Sequence, residues 1–294
     1  MDLFYLLQQI LNGLCQGSIY ALMAIGYTMI YGVVGLVSFN YGETVMIGAF
    51  GSYYAFLATG NFFVGILFGA ICSAVLGIFV YKLCYERFLD SPPHISMVCT
   101  IGFSMLAKNL AQIAFGSDVK PLPEVFKIQS YTFWGFRISN LQLVIMGCVV
   151  LSTALFTIFL NYSRTGTKLR AVSQDRRAAA LVGINVRQTT LMGNCIGCAL
   201  GGIAGVMLGL YYTTVVPTMG STIGLKALIS TILGGLSSIS GAALSGLTLG
   251  VLENVGIAFI DTGLRDAVAF VFLVLVLVFK PQGLFAKKGG RRDK

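Results

Sequence analysis

Residues 189–212 read Thr189-Thr190-Leu191-Met192-Gly193-Asn194-Cys195-Ile196-Gly197-Cys198-Ala199-Leu200-Gly201-Gly202-Ile203-Ala204-Gly205-Val206-Met207-Leu208-Gly209-Leu210-Tyr211-Tyr212. No side chain in this run is charged, and the run exceeds the roughly 20 helical residues needed to cross a bilayer core. Gly193, Gly197, Gly201, Gly205 and Gly209 recur every fourth residue, which on a helix places them in one stripe. A missing side chain lets another helix come close, and in lipid such packing replaces the hydrophobic drive that joins helices in water. The stretch therefore reads as a membrane-crossing helix with a tight interface. That interface lies within the chain, against another subunit, or along a moving pore wall. Gly13 with Gly17, and Gly246 with Gly250, repeat the spacing elsewhere.

The rest of the chain has the same character. Charged residues make up 11% of it and hydrophobic residues 56%. Soluble domains carry about 25% charged residues, so this chain cannot clothe a water-facing surface, and its apolar stretches must meet lipid or one another. Apolar segments fall near 4–24, 26–39, 43–60, 62–81, 95–116, 141–161, 189–212, 222–236, 240–259 and 267–279. Segments 26–39 and 222–236 are short for a crossing and read as broken helices, re-entrant pieces or halves of longer tilted spans. The expected fold is all-α: one transmembrane helical domain over residues 1–294 with about eight to ten membrane segments. The first segment has no basic run before it, only Asp2, and no clear cleavage site follows, so it is expected to remain as a span.

Charge placement sets an orientation. Fourteen of the 20 Lys and Arg residues lie in 82–94, 162–187 and the tail from 280. Positive residues collect on the cytoplasmic side, so these three regions and the C-terminus are placed there, and 117–140, with Pro121, Pro123 and Trp134, becomes the main external loop. The net charge of +9 thus reflects membrane orientation and not nucleic acid. If all ten segments cross, the N-terminus is cytoplasmic too; the first five then run inside to outside overall and the last five outside to inside, the arithmetic of an inverted repeat of the kind transporters use.

Few polar groups lie at membrane depth, where charge is costly. Glu43 (close to Asn40), Lys108, Lys226 and Glu253 are the ionisable ones. They read either as satisfied interhelical contacts and interfacial snorkelling or as the polar lining of a path. The only histidine, His94, follows two prolines at a loop junction, and the CxxC of Cys195 and Cys198 lies in a glycine-rich apolar run without histidine. His94 is read as an ordinary interfacial residue, and the two cysteines as small packing residues. No HExxH, GxSxG or P-loop occurs. No enzyme chemistry, metal or cofactor is expected, and any ATP must be bound by another chain.

The loop Gly166 to Ile184 contains Arg170, Asp175, Arg176, Arg177, Ala178, Ala179, Ala180, Leu181 and Gly183. Ser173 or Asp175 can cap a short helix, the alanines favour it, and Gly183 suits the left-handed turn that ends it. The alternatives are a solvated topology signal and a docking helix for a cytoplasmic partner.

Residues Asn12-Gly13, Gly17-Ser18-Ile19-Tyr20-Ala21-Leu22, Gly26 to Gly32 and Asn40-Tyr41-Gly42-Glu43 resemble the branched-chain amino acid ABC permease family, most closely its high-affinity H-type subunit. Leu169-Arg170-Ala171 with Ala180 to Asn185, Gly224-Leu225-Lys226-Ala227 with Leu233-Gly234-Gly235 and Ser238 to Ala242, and Pro281 to Phe285 extend the resemblance along nearly the whole chain. Tyr41 alone before Gly42-Glu43, and a lysine at 108, depart from it. The resemblance implies a multi-pass bacterial inner-membrane permease. Its implied partners are a homologous second permease subunit, two ATP-binding subunits and a periplasmic solute-binding protein. It implies coupling to the ATPase through Arg170, Asp175, Arg176, Arg177, Ala180, Leu181 and Gly183. Asn40, Glu43, Lys226 and Glu253 would line the path. Relatives that move urea, amides or other amino acids, and a stand-alone channel or secondary carrier, remain the competing readings.

Overall fold

The computed structural model describes residues 3–88, 92–123, 129–133, 136–236, 238–259, 265–280 and 283–284. Trp134 and most of the basic tail, from Phe285 on, lie outside the described residues. Nine apolar helices make up the bundle among those described: α1 (Leu3–Val34), α2 (Tyr41–Thr59), α3 (Phe62–Val80), α4 (Pro93–Phe115), α5 (Asn140–Tyr162), α8 (Val186–Tyr212), α9 (Met219–Gly234), α10 (Ile239–Phe259) and α11 (Arg265–Phe279). Two short helices, α6 (Arg164–Gln174) and α7 (Arg176–Leu181), join α5 to α8. α1, α3 with its continuation to Phe88, α4, α5, α8 and α10 are long and apolar enough to cross a membrane. The fold is an all-α polytopic bundle.

The segments 4–24 and 26–39 are one helix. In water a central glycine weakens a helix, but a backbone at membrane depth must keep its own hydrogen bonds. Gly26 stays helical, and its bare face receives the Gly197 carbonyl and the Tyr41 hydroxyl. This joining removes one crossing. The chain therefore starts at the end of the bundle opposite α6 and α7, not at the same end as ten crossings would require. At the starting end the Gln8 side chain donates to the Arg137 carbonyl at 2.8 Å and accepts from its N–H at 3.0 Å. The hairpin of β1 (Ser130–Phe133) and β2 (Phe136–Ser139) lies there. At the other end Tyr81 donates to the Arg187 carbonyl at 2.9 Å, and Arg187 pairs with Glu86 at 3.3 Å.

The packing repeats itself with the order reversed. α1 runs antiparallel to α10: Gly13 meets Val251 and Gly17 meets Leu247. α8 runs antiparallel to α3, with Asn194 donating to the Gly77 carbonyl at 2.7 Å and Gly202 lying against Ser73 and Gly69. α2 lies parallel to α8 (Tyr41 beside Gly201, Val45 beside Gly205), as α9 lies parallel to α1 (Lys226 beside Tyr20, Thr231 beside Ala24). The two four-helix units are thus α1–α4 and α8–α11, with α5 between them, so the repeat does not divide the segments five and five. α2 and α9 touch at their starts, where Gly42 meets the backbone of Gly220 and Gly224.

Candidate functional site

Three groups of residues carry the polar chemistry. The first is the connection between α5 and α8. Ser163 caps α6 by accepting from Gly166 N–H at 2.8 Å. Asp175 caps α7, its carboxylate accepting from Arg177 and Ala178 N–H at 2.8 and 3.1 Å. Ser173, the other candidate cap, instead donates back to the Arg170 carbonyl at 2.8 Å. Gly183 closes α7 in the left-handed region, φ 81°. Its N–H reaches the Ala180 carbonyl at 3.0 Å, and that of Ile184 reaches Ala179 at 3.1 Å, a closure that satisfies carbonyls left free at a helix end. Ala179 packs inward, whereas Arg170, Arg177 and Ala180 are exposed. Leu181 and Val182 are 89% and 76% exposed. Arg176 turns the other way and donates to the Val33 carbonyl at the end of α1. The result is a short helix anchored to α1 at its first residue and offering an apolar tip beside a cation.

The second group lies inside the bundle. Lys226 Nζ sits 3.0 Å from Glu253 Oε1 and 2.8 Å from Asp266 Oδ1. Arg265 Nε is 3.4 Å from Glu253 Oε2, and Tyr20 donates to that oxygen at 3.0 Å. Gln16 donates to it at 3.4 Å and accepts from Asn254 at 2.9 Å; Arg265 also reaches Gln16. Two cations and two anions from α9, α10 and α11 therefore balance, with α1 supplying the hydrogen bonds. Lys226 does not snorkel to an interface: it is 5% exposed and Glu253 is fully buried. Gln16, Tyr20, Arg265 and Asp266 were not picked out from sequence. The charged pair directly ahead of the last apolar segment, and a glutamine four residues before a tyrosine on α1, were the available signals.

The third group surrounds the start of α2. Among the described residues no hydrogen bond or ion pair joins Asn40 or Glu43 to Lys226 or Glu253, although Gly42 packs on Gly224. Asn40 Oδ1 accepts from the Ser38 hydroxyl at 2.5 Å, Ser38 in turn accepts from Tyr85 at 2.7 Å, and Tyr27 both donates to and accepts from the Ser38 backbone at 2.9 Å. These bonds pin the turn between α1 and α2. Glu43, 2% exposed, faces Ser104 and Lys108 of α4.

The stripe on α8 meets several partners in turn. Gly193 abuts Val33 and Leu169, Gly197 abuts Ile30 and Gly26, Gly201 abuts Tyr41 and Thr44, and Gly205 abuts Val45 and Ala49. Gly209 is looser, with Val215 3.4 Å from a Cβ built there. All seven cysteines are free. No group of three or more His, Cys, Asp or Glu that could hold a metal occurs among the described residues.

These features define a polytopic helical membrane protein with a short, exposed helix carrying two arginines at one end. The profile of the family described as "Branched-chain amino acid transport system / permease component" matches residues 9–278, and the chain belongs to this transport-permease family. It is 36% identical to the high-affinity branched-chain amino acid transport system permease protein LivH of Salmonella typhimurium, over 96% of each chain. It is 35% identical to the corresponding protein BraD of Pseudomonas aeruginosa, over 97% of each. The ribose import permease protein RbsC of Escherichia coli is 24% identical over 93% of this chain and 86% of its own length.

Proposed function

We propose that this chain is one permease subunit of an ABC importer, forming half of a path for leucine, isoleucine or valine across the bacterial inner membrane. The end-to-end identity with permeases named for high-affinity branched-chain amino acid transport carries this reading. In it, a periplasmic binding protein delivers the solute, a second homologous permease completes the path, and two ATP-binding subunits drive access. The end bearing α6 and α7 faces the cytoplasm, because Arg164, Lys168, Arg170, Arg176, Arg177 and Arg187 collect there and cationic loops stay inside. Lys280 ends α11 at that side, so the C-terminus is cytoplasmic and the start of α1 periplasmic.

α7 is the grip for the motor. Leu181 and Val182 present an apolar tip, Arg177 a charge beside it, and Arg176 passes displacement to α1. The charge cluster around Glu253 ties α9, α10 and α11 to α1, so these helices move as a body. Uptake of labelled leucine into proteoliposomes tests the reading. The full complex with binding protein and ATP accumulates leucine; removal of the ATP-binding chains abolishes it. Equal uptake without them would contradict the proposal.

A further inference from the structure

We propose that Glu43, Ser104 and Lys108 form a transit site for the charged head of an α-amino acid. In it the Glu43 carboxylate takes the solute's ammonium group and the Lys108 ammonium takes its carboxylate. The site rests on the permease reading above and gives it a solute contact.

The buried charges of this chain are of two kinds. Around Glu253 two cations and two anions are joined by ion pairs of 3.4 Å or less, so the charges there already cancel. Glu43 is equally buried, and Lys108 is the cation that acts on it. Yet among the described residues these two are joined by no ion pair within 4.0 Å. α4 runs alongside α2, Thr100 meeting Phe39 and Phe115 stacking on Phe50, which puts the Ser104–Lys108 turn beside Glu43. A carboxylate and an ammonium on neighbouring helices that do not close on one another match the two charges of an amino-acid zwitterion, one to each. Glu43 is held by hydrogen bonds from Ser104 and the α2 backbone, but among the described residues its charge has no cation within ion-pair distance, and an uncancelled buried charge is costly.

α4 supplies a second, independent sign. Ser96, Thr100, Ser104 and Lys108 recur every fourth residue, so they form one polar stripe of about 18 Å along one face of α4. Ser96 and Thr100 are buried against the rest of the chain. The Ser96 hydroxyl has no partner there, while Thr100 accepts from the Phe39 N–H at 3.4 Å. The opposite face, Val98, Ile101, Met105 and Leu106, is open and apolar. α4 is thus a thinly held helix that turns hydrogen-bonding groups inward along its length. In the present conformation it closes over Glu43. A small separation of α4 from α2 would open the stripe to a solute, with the Phe50–Phe115 stack, 4.6 Å between centroids, as the contact at its far end.

The test uses the complete complex in proteoliposomes with binding protein and ATP, comparing wild type with Glu43→Gln, Lys108→Met and Lys108→Arg. Leucine taken up per ATP hydrolysed should fall at least tenfold in Glu43→Gln and in Lys108→Met and recover at least in part in Lys108→Arg, while binding-protein-stimulated hydrolysis stays within twofold of wild type. Uptake per ATP unchanged in both neutral variants would overturn the site. So would loss of complex assembly in both, which would mark the residues as struts. Wild-type uptake that needs no ATP-binding chain would instead overturn the importer reading itself.

Discussion

The Arg176 guanidinium donates to the Val33 carbonyl across 2.6 Å, so the first residue of α7 holds the last turn of α1. Val33 lies among the carbonyls that a helix end leaves free, and a cation there also meets the negative end of the helix dipole. A hydrogen bond with a charged donor contributes about 1.5–3 kcal/mol, enough to fix α7 relative to α1. Replacing Arg176 by alanine should therefore lower leucine uptake per ATP about tenfold. The chain should still assemble, because the other bonds of α7, from Asp175 and Gly183, remain. Parallel assays of uptake and hydrolysis in proteoliposomes check this.

Leu181 is 89% exposed and contributes little to the fold, so Leu181→Ser should change stability by less than about 0.5 kcal/mol. In the proposed complex the same side chain becomes buried, and its loss should weaken retention of the ATP-binding chains several-fold. Thermal unfolding of the purified chain and co-purification of the complex read the two effects separately.

Glycines at helix crossings and glycines facing outward should respond in opposite directions. A methyl group at Gly48 would collide with the Gly202 backbone, and one at Gly205 with the Val45 carbonyl. Overpacking of this kind costs about 1–3 kcal/mol, and backbone cannot move aside as a side chain can. Gly102 and Gly147 have nothing within 4 Å of the same position. Alanine there should be neutral or stabilise the chain by up to about 1 kcal/mol through helix propensity. Melting temperatures of the four single alanine variants in detergent test the contrast.

The quartet around Glu253 predicts non-additivity. Lys226→Met leaves Glu253 and Asp266 facing Arg265 alone. Breaking a buried pair from one side costs about 3–5 kcal/mol. Lys226→Met combined with Glu253→Gln leaves Arg265 and Asp266, one charge of each sign, and should be more stable than either single variant. A double-mutant cycle of unfolding free energies measures the coupling.

The helical segments were readable because apolar runs and fourfold glycine spacing are local properties. Asp175 and Gly183, as the boundaries of α7, follow from capping chemistry that needs only neighbouring residues. Segment 26–39 stays open in the sequence between a broken helix and half of a longer span for the opposite reason: whether a glycine such as Gly26 interrupts a helix depends on what lies beside it. Here that is Gly197, more than half the chain away. Lys226 and Glu253 stand out in sequence as charges in apolar runs, but their pairing with each other and not with Glu43 depends on how α9, α10 and α11 fold back on α1. Arg176 likewise reads as one more loop cation until the end of α1 is placed beside it.

The central claim is that α7 projects into the cytosol and is covered there by a motor chain. A membrane-impermeant maleimide applied to Leu181→Cys measures this most directly. The account predicts no labelling at 181 in intact cells, labelling in inverted vesicles stripped of ATP-binding chains, and protection when those chains are restored. Labelling of intact cells at 181 would place α7 on the wrong side of the membrane and contradict the account.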